Sequence, residues 1–371
     1  MNKLYLIFHT LKYLRFKQVY FRARYLLLKP KIPIAKTPYL RFPKLTTRFA
    51  CYHEPASLDG CSFTFLGVTC DISQNKSAGN LSKLWLYNYH YHSDLVSIGS
   101  DAKVALSSNI IEKWINENPP ASGVGWDPYC ISIRVVNWIK WFIHNQESAS
   151  IINYFSSINL QAGILEQKLE YHIQGNHLFS NAKALVFAGT YFKGKDADRR
   201  LSKGLYLLDQ EIKEQFLRDG GHFELSPVYH SLLLWDLADL INLSQSTKLP
   251  ELQQREKDWR KLFTKGVLWL EGLIHPDGGV SFFNDSTFGI APTYEELKSY
   301  ASYLHLYLHN LDNKSKLSAV LFSDTGYGTI DWNSDSRLIV DVGRVGPDHQ
   351  PGHAHADTLS CELSILGQRV L

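Results

Sequence analysis

Asp219-Gly220-Gly221-His222-Phe223-Glu224-Leu225-Ser226-Pro227-Val228-Tyr229-His230 runs directly into Leu232, Leu233, Leu234, Trp235, Leu237 and Leu240, an apolar series at helical spacing. The stretch reads as a loop feeding a helix. Ser226 is the expected cap, and Pro227 falls in the first turn, where its missing N–H has no partner to lose. Tyr229 and His230 then sit on that first turn, where unpaired backbone N–H groups and the positive end of the helix dipole favour an anionic phenol. The competing reading packs Tyr229 on the core and leaves His230 capping a carbonyl.

Outward from this helix the same texture continues. After Ser82 helical candidates run through 84–91, 110–116, 132–142, 151–156, 161–173, 178–191, 200–215, 229–243, 252–274 and 293–311, with loops rich in Gly, Pro, Asn and Asp between them. Paired antiparallel helices are the natural packing for such a series. At Ser323 the hydrophobic period changes. Ile330, Leu338, Val340, Leu359, Cys361, Leu363 and Ile365 alternate with polar residues and predict strands. This β pattern is short for a sandwich of ordinary size and stops at Leu371, so a truncated domain is expected. The fold class is α+β and multi-domain, with boundaries expected at 1–81, 82–312 and 313–371.

Ahead of the helices, Pro30, Pro33, Pro38 and Pro43 predict an extended connector, and Phe63, Thr64, Phe65, Leu66, Val68 and Thr69 a small strand layer. Leu4, Ile7, Leu11, Leu14, Val19 and Tyr20, interleaved with Lys and Arg, predict a basic amphipathic helix. An ordinary docked helix is one use for it, and peripheral contact with a membrane surface is the other. No signal peptide is read, because Lys12 and Arg15 interrupt the apolar run. The expected location is cytoplasmic or membrane-peripheral, with periplasmic as the alternative.

The 371 residues are 44% hydrophobic and carry a net charge of only +3, so a nucleic-acid-binding protein is not expected. Five scattered cysteines, with no CxxC pair, exclude a disulfide framework and a zinc ribbon. The 13% aromatic content suits both an aromatic core and the stacking of sugar rings.

Four clusters are candidates for chemistry. Gln174-Gly175-Asn176-His177 offers an amide at a helix start, and the opening loop offers His222, Glu224, Tyr229 and His230. In Gly346–Asp357, three His and two Asp fall within ten residues; on an extended strand His353, His355 and Asp357 would face one side, as metal ligands or as a catalytic histidine with orienting partners. Asp277-Gly278-Gly279 with Asn284 and Asp285 reads as a turn and cap. Arg134 interrupts an apolar helix face. It is expected to meet a carboxylate of protein or ligand, and with Tyr87, Tyr89, His90 and Trp126 to line the concavity that holds Asn176.

Gly175-Asn176-His177, Asp219 to His230, and Gly352-His353-Ala354-His355-Ala356-Asp357, in this order, resemble the heparinase II/III-like polysaccharide lyases over roughly residues 80–371. The resemblance implies an incomplete (α/α) toroid followed by an antiparallel β-sandwich, with a substrate cleft between them. It implies that Asn176 and His177 bind a uronate carboxylate, that Tyr229 is acid and often base, and that His353 assists. It implies further that His355 ligates a structural divalent metal, zinc or calcium, that catalysis itself does not require.

The chemistry fits those residue types. β-Elimination at a 4-linked uronate needs a neutralised carboxylate, a base for the C5 proton and an acid for the departing O4. Asn176 supplies an amide for the enolate-like charge, and Tyr229 needs cationic or donor neighbours if it is to be a base. The expected function is therefore cleavage of an acidic, uronate-containing polysaccharide, linked to surface-polysaccharide metabolism. A carbohydrate-binding or polysaccharide-assembly protein with little turnover is the alternative. A metal-dependent hydrolase built on His353, His355 and Asp357 ranks third, since no HExxH helix accompanies them.

Overall fold

The computed structural model describes residues 5, 9, 12–34, 36–72, 81–145, 151–308 and 317–371. Among these, the helices are α1 (Phe16–Leu27), α2 (Lys83–Tyr91), α3 (Val104–Glu117), α4 (Pro128–His144), α5 (Ile151–Leu165), α6 (Gly175–Tyr191), α7 (Lys195–Gln215), α8 (Pro227–Thr247), α9 (Pro250–Gly272) and α10 (Tyr294–Tyr303). A five-stranded antiparallel sheet follows, in the order β5 (Ser318–Phe322), β6 (Tyr327–Asn333), β7 (Ser336–Asp341), β8 (Cys361–Ile365) and β9 (Gln368–Arg369). The sheet begins at Ser318, ahead of the change of period expected at Ser323, because β5 lies wholly before it, and the fold is α+β.

The chain divides into two compact units, Met1–Tyr20 with His172–Asn176 and Asp209–Leu371, and Phe21–Tyr171 with His177–Leu208. In the second, α4 is buried on nearly every side, Arg134, Asn137 and Lys140 included, because apolar residues fall all along PYCISIRVVNWIKWFIH. Trp85, Trp114 and Trp138 are buried in the same unit. The expected strand layer is the hairpin β2 (Ser62–Phe65) and β3 (Val68–Asp71), whose Phe63 and Cys70 pack on Trp85. The Pro-rich connector is extended and contributes β1 (Tyr39–Leu40) to an antiparallel pair with β4 (Phe192–Lys193).

In the first unit α8 and α9 are separated by Lys248 and Leu249 and pack along each other. The sheet is fastened to the end of α9. Arg337, held by Asp331 at 2.6 Å, donates to the carbonyls of Glu271 and Ile274 at 2.7 and 2.5 Å, satisfying acceptors that a helix end leaves open. Asp219 ties the opening loop to the β5–β6 turn, accepting from the N–H of Gly221 and from the N–H groups of Asp324 and Thr325. Gly221 is required here, since a Cβ would lie 2.5 Å from both the Trp269 ring and Thr325.

Several expectations change. The candidates 151–156 and 161–173 form one helix that ends at Leu165, and Gln174 and Gly175 then take positive φ at the entry to α6. α10 ends at Tyr303, with residues 309–311 of that candidate outside the described residues. Leu4, Ile7 and Leu11 also lie outside the described residues, as does the boundary expected between 312 and 313. In α1 only Gln18 is buried, while Phe16, Val19 and Tyr20 are exposed. Ser226 stands at the N-cap of α8, but its hydroxyl donates to the Asp285 carbonyl at 3.2 Å and caps no helical N–H. Among the described residues no helix is long and apolar enough to cross a membrane.

Candidate active site

In the first unit, the start of α8 and the loop of residues 346–357 bring Tyr229 and His353 together. Their rings stack with centroids 3.6 Å apart. His353 Nδ1 lies 3.0 Å from Asp285 Oδ2, and a carboxylate can only accept, so Nδ1 carries the proton and Nε2 is the basic nitrogen. Nε2 faces Glu224 Oε2 at 3.4 Å. Glu224 is buried, and its Oε1 accepts from Gln350 at 3.0 Å while the Asn176 backbone N–H donates to the same carboxyl. Gly175 makes this approach available: its φ is +52°, and a Cβ there would fall 2.1 Å from the Gln350 amide and 2.4 Å from Glu224.

Burial raises the Glu224 carboxyl from 4.5 to about 8, against the lowering effect of the Asn176 N–H. Between pH 4.5 and about 8 the folded chain keeps a proton that the unfolded chain has released. Stability from this group is therefore full below 4.5 and is lost as pH rises through about 8. Urea unfolding of Glu224→Gln across that window is expected to show a flatter fall with pH than the parent; an unchanged slope would mean that Glu224 titrates normally.

Tyr229 is half-buried. Burial first, and then the negative charges of Asp285 and Glu224, hold its phenol well above the usual value of 10. Of the histidines expected to make it a base, His353 stacks on it and His230 does not reach it. His230 is fully buried with Nε2 on the Gly266 carbonyl at 2.9 Å, and burial lowers it to about 4. His222 is also fully buried, 3.1 Å from Gln215 Oε1. Both histidines leave the substrate-binding set: they are neutral groups inside the core. Gln215 in turn donates to the Gly175 carbonyl at 2.9 Å, so His222 supports the turn that carries Asn176.

The loop of residues 346–357 contains no strand, because Gly346, Pro347, Pro351 and Gly352 interrupt pairing. The alternation of His353, His355 and Asp357 therefore does not place them on one side. His355 is exposed and its N–H donates to Asn284 Oδ1, while Asp357 accepts from the Asn284 N–H. Among the described residues no three His, Cys, Asp or Glu side chains gather as a metal site.

Asn284 and Asp285 do more than the turn and cap expected of them. Buried Asn284, at positive φ, joins the Leu225 carbonyl at 3.0 Å to the 353–357 loop, and Asp285 orients His353. Gln350 is the other contributor that sequence reading did not assign. The density of polar residues between Gly278 and Ser286 was the available signal.

The second unit holds His177. Its Nδ1 lies 3.2 Å from Glu170, whose position is fixed by Asn181, and its ring stacks on Tyr129 at 4.2 Å. Tyr87 donates to Asp127 at 2.6 Å. Four further candidates in this unit are packing groups. Arg134 is fully buried and donates to Gln161 at 2.9 Å and to the carbonyls of His90 and Gly125 at 2.9 and 2.8 Å, over the Trp114 ring. The expected carboxylate partner is replaced by uncharged acceptors, so Arg134 is withdrawn from the site. His90 accepts from Trp114 at 3.0 Å, and burial lowers it to about 3. Trp126 is buried with its N–H on the Asn118 carbonyl, and Tyr89 packs against Phe63 and Trp85.

Comparison with known proteins agrees with this arrangement of motifs. The chain is 29% identical over 269 residues to a heparin-sulfate lyase of Pedobacter heparinus, covering 66% of this chain and 38% of that one. It is 28% identical over 195 residues to a heparin-sulfate lyase of Bacteroides thetaiotaomicron, covering 48% and 27%. The chain thus spans well under half the length of these curated relatives. Among solved structures, one of heparinase III superposes with a TM-score of 0.63 at 19% identity, over 95% of this chain and 61% of that one. Heparan sulfate lyase HepC from Pedobacter heparinus gives 0.52 at 19%, over 95% and 59%. Residues 103–313 match the heparinase II/III N-terminus and residues 315–371 the heparinase II/III-like C-terminal region, and the chain belongs to the heparinase II/III family.

Proposed function

We propose that this chain acts as a polysaccharide lyase, cleaving a 4-linked, uronate-containing polysaccharide by β-elimination. The proposal includes the architecture: an incomplete (α/α) toroid built from the helices and a β-sandwich begun by the sheet. The observation that carries it is the Tyr229–His353 stack, with His353 fixed in one tautomer by Asp285. Such a pair supplies an acid and a base side by side, and a phenol held above its usual pKa carries its proton at neutral pH.

In this scheme His353 Nε2 takes the C5 proton, the C5–H electron pair becomes the C4–C5 double bond, and the C4–O4 pair leaves with O4. The Tyr229 hydroxyl protonates that oxygen. Transfer of the proton from His353 back to Tyr229 through solvent resets the pair. Asn176 is the residue proposed to stabilise the enolate-like carboxylate, as an oxyanion hole does, and His177 keeps the same proposed role. Neutral Glu224 adds no second negative charge beside the departing proton.

The relatives named heparin-sulfate lyases make a sulfated glycosaminoglycan the first substrate to offer. Incubation with a panel of uronate polymers is expected to produce a rise in ultraviolet absorbance from the new double bond. Saturable binding of the same polymers with no rise would replace the lyase by a carbohydrate-binding or assembly protein.

A further inference from the structure

A cleft of about 770 Å³ lies within the second unit, between the segment running from Phe21 to Pro33 and the end of α5 with the start of α7. Seven Lys and Arg line it against two carboxylates, Glu166 and Asp196. The carboxylates are already neutralised. Arg199 grips Glu166 with two nitrogens at 2.7 and 2.9 Å and Asp196 with a third at 2.6 Å, and Arg200 adds a second cation 3.5 Å from Glu166. Lys203 donates to the Glu166 carbonyl at 3.0 Å. Arg24, Lys29 and Lys31 have no carboxylate partner among the described residues and face the same cleft.

Like charges so gathered raise one another's energy unless an anion joins them. Burial, with Arg199 and Arg24 nearby, pulls Lys203 below its usual pKa although Glu166 opposes it. Arg200, only 4% exposed, is held by Asn159 at 2.6 Å and reaches Glu166 only through Nε at 3.5 Å, longer than a hydrogen bond. The cleft also has an aromatic wall: the Phe21 and Tyr171 rings lie 4.4 Å apart, and the Lys168 ammonium sits over the Tyr25 ring at 4.4 Å. A single oxyanion would fill little of a cavity this size, which is in the range of sites for larger ligands. Cations beside flat apolar rings match a sugar chain bearing carboxylate or sulfate groups. Tyr25 and Lys168, which line the cleft, feel the charges of Asp127 and Glu170, and Glu170 holds His177.

We propose that this cleft is an additional binding site for several residues of an acidic oligosaccharide, with Arg24, Lys29 and Lys31 as its anion-contacting rim. The inference rests on the reading that the chain acts on acidic polysaccharide.

The test uses calorimetric titration of a sulfated uronate octasaccharide into the Tyr229→Phe chain, so that the ligand stays intact, with and without Arg24→Ala, Lys29→Ala and Lys31→Ala together. The triple substitution is expected to weaken binding by about 10- to 100-fold and to make it less sensitive to salt. All three positions are exposed, and an unchanged unfolding midpoint verifies the fold. The double charge reversal Lys29→Glu and Lys31→Glu, on the same Tyr229→Phe background, should weaken binding further. Octasaccharide affinity within twofold of the parent in both variants overturns the site. Inorganic sulfate binding as tightly as the octasaccharide, and lost in the same variants, would make it a site for a small free anion and also overturn the proposal. Loss of octasaccharide binding in the variants, combined with no unsaturated product from the unsubstituted chain, leaves the cleft standing and removes the lyase. Turnover by the unsubstituted chain, combined with unchanged binding in the variants, does the reverse.

Discussion

Tyr229→Phe is expected to lower turnover of a uronate polymer by about 10³-fold while leaving polymer binding within a few-fold, because proton transfer from one positioned group contributes on that order. The substitution removes one oxygen and keeps the ring that stacks on His353. It should therefore leave the fold intact. Raised by burial, Asp285 and Glu224, the phenol stays protonated throughout the neutral range, and what the variant lacks is the proton for O4. The measurement is the initial rate of double-bond absorbance, paired with calorimetric binding of the same polymer. A rate within tenfold of the parent would take Tyr229 out of proton transfer.

Arg134→Met is expected to destabilise the chain by about 3–5 kcal/mol, an effect on folding and not on chemistry. The guanidinium is fully buried, and burial lowers its pKa only to about 9, so it is charged at neutral pH. Replacing a buried charge by an apolar side chain can be nearly neutral when its partner is replaced too. Here two of the three acceptors are the backbone carbonyls of His90 and Gly125, which no side-chain change removes. Arg134→Lys should recover little, since an ammonium cannot span the fork that reaches Gln161 as well. The midpoint of denaturant unfolding reads the effect. A loss below about 1 kcal/mol would show that water replaces the three bonds at little cost.

The order of helices and the switch to strands could be read along the chain, because hydrophobic period is a local property and each element must bury the face it presents. The loop-to-helix entry at Ser226-Pro227-Val228-Tyr229 and the two glycines before it were legible for the same reason, and the resemblance is what singles out Asn176, Tyr229 and His353. What burial does to a side chain is not local. His222, His230 and Arg134 have the residue types of a binding site, yet each ends inside the core with its polar atoms on Gln215, the Gly266 carbonyl, or Gln161 and two carbonyls. Asp285 looks like a turn residue in sequence and Gln350 carries no signal of its own; only the return of the chain 68 residues later sets His353 against Asp285, and Gln350 meets Glu224 across a separation of 126 residues. The protonation of Glu224 likewise follows from tertiary structure, because the energy of a carboxylate depends on the water and donors around it, and those are supplied by segments remote in sequence.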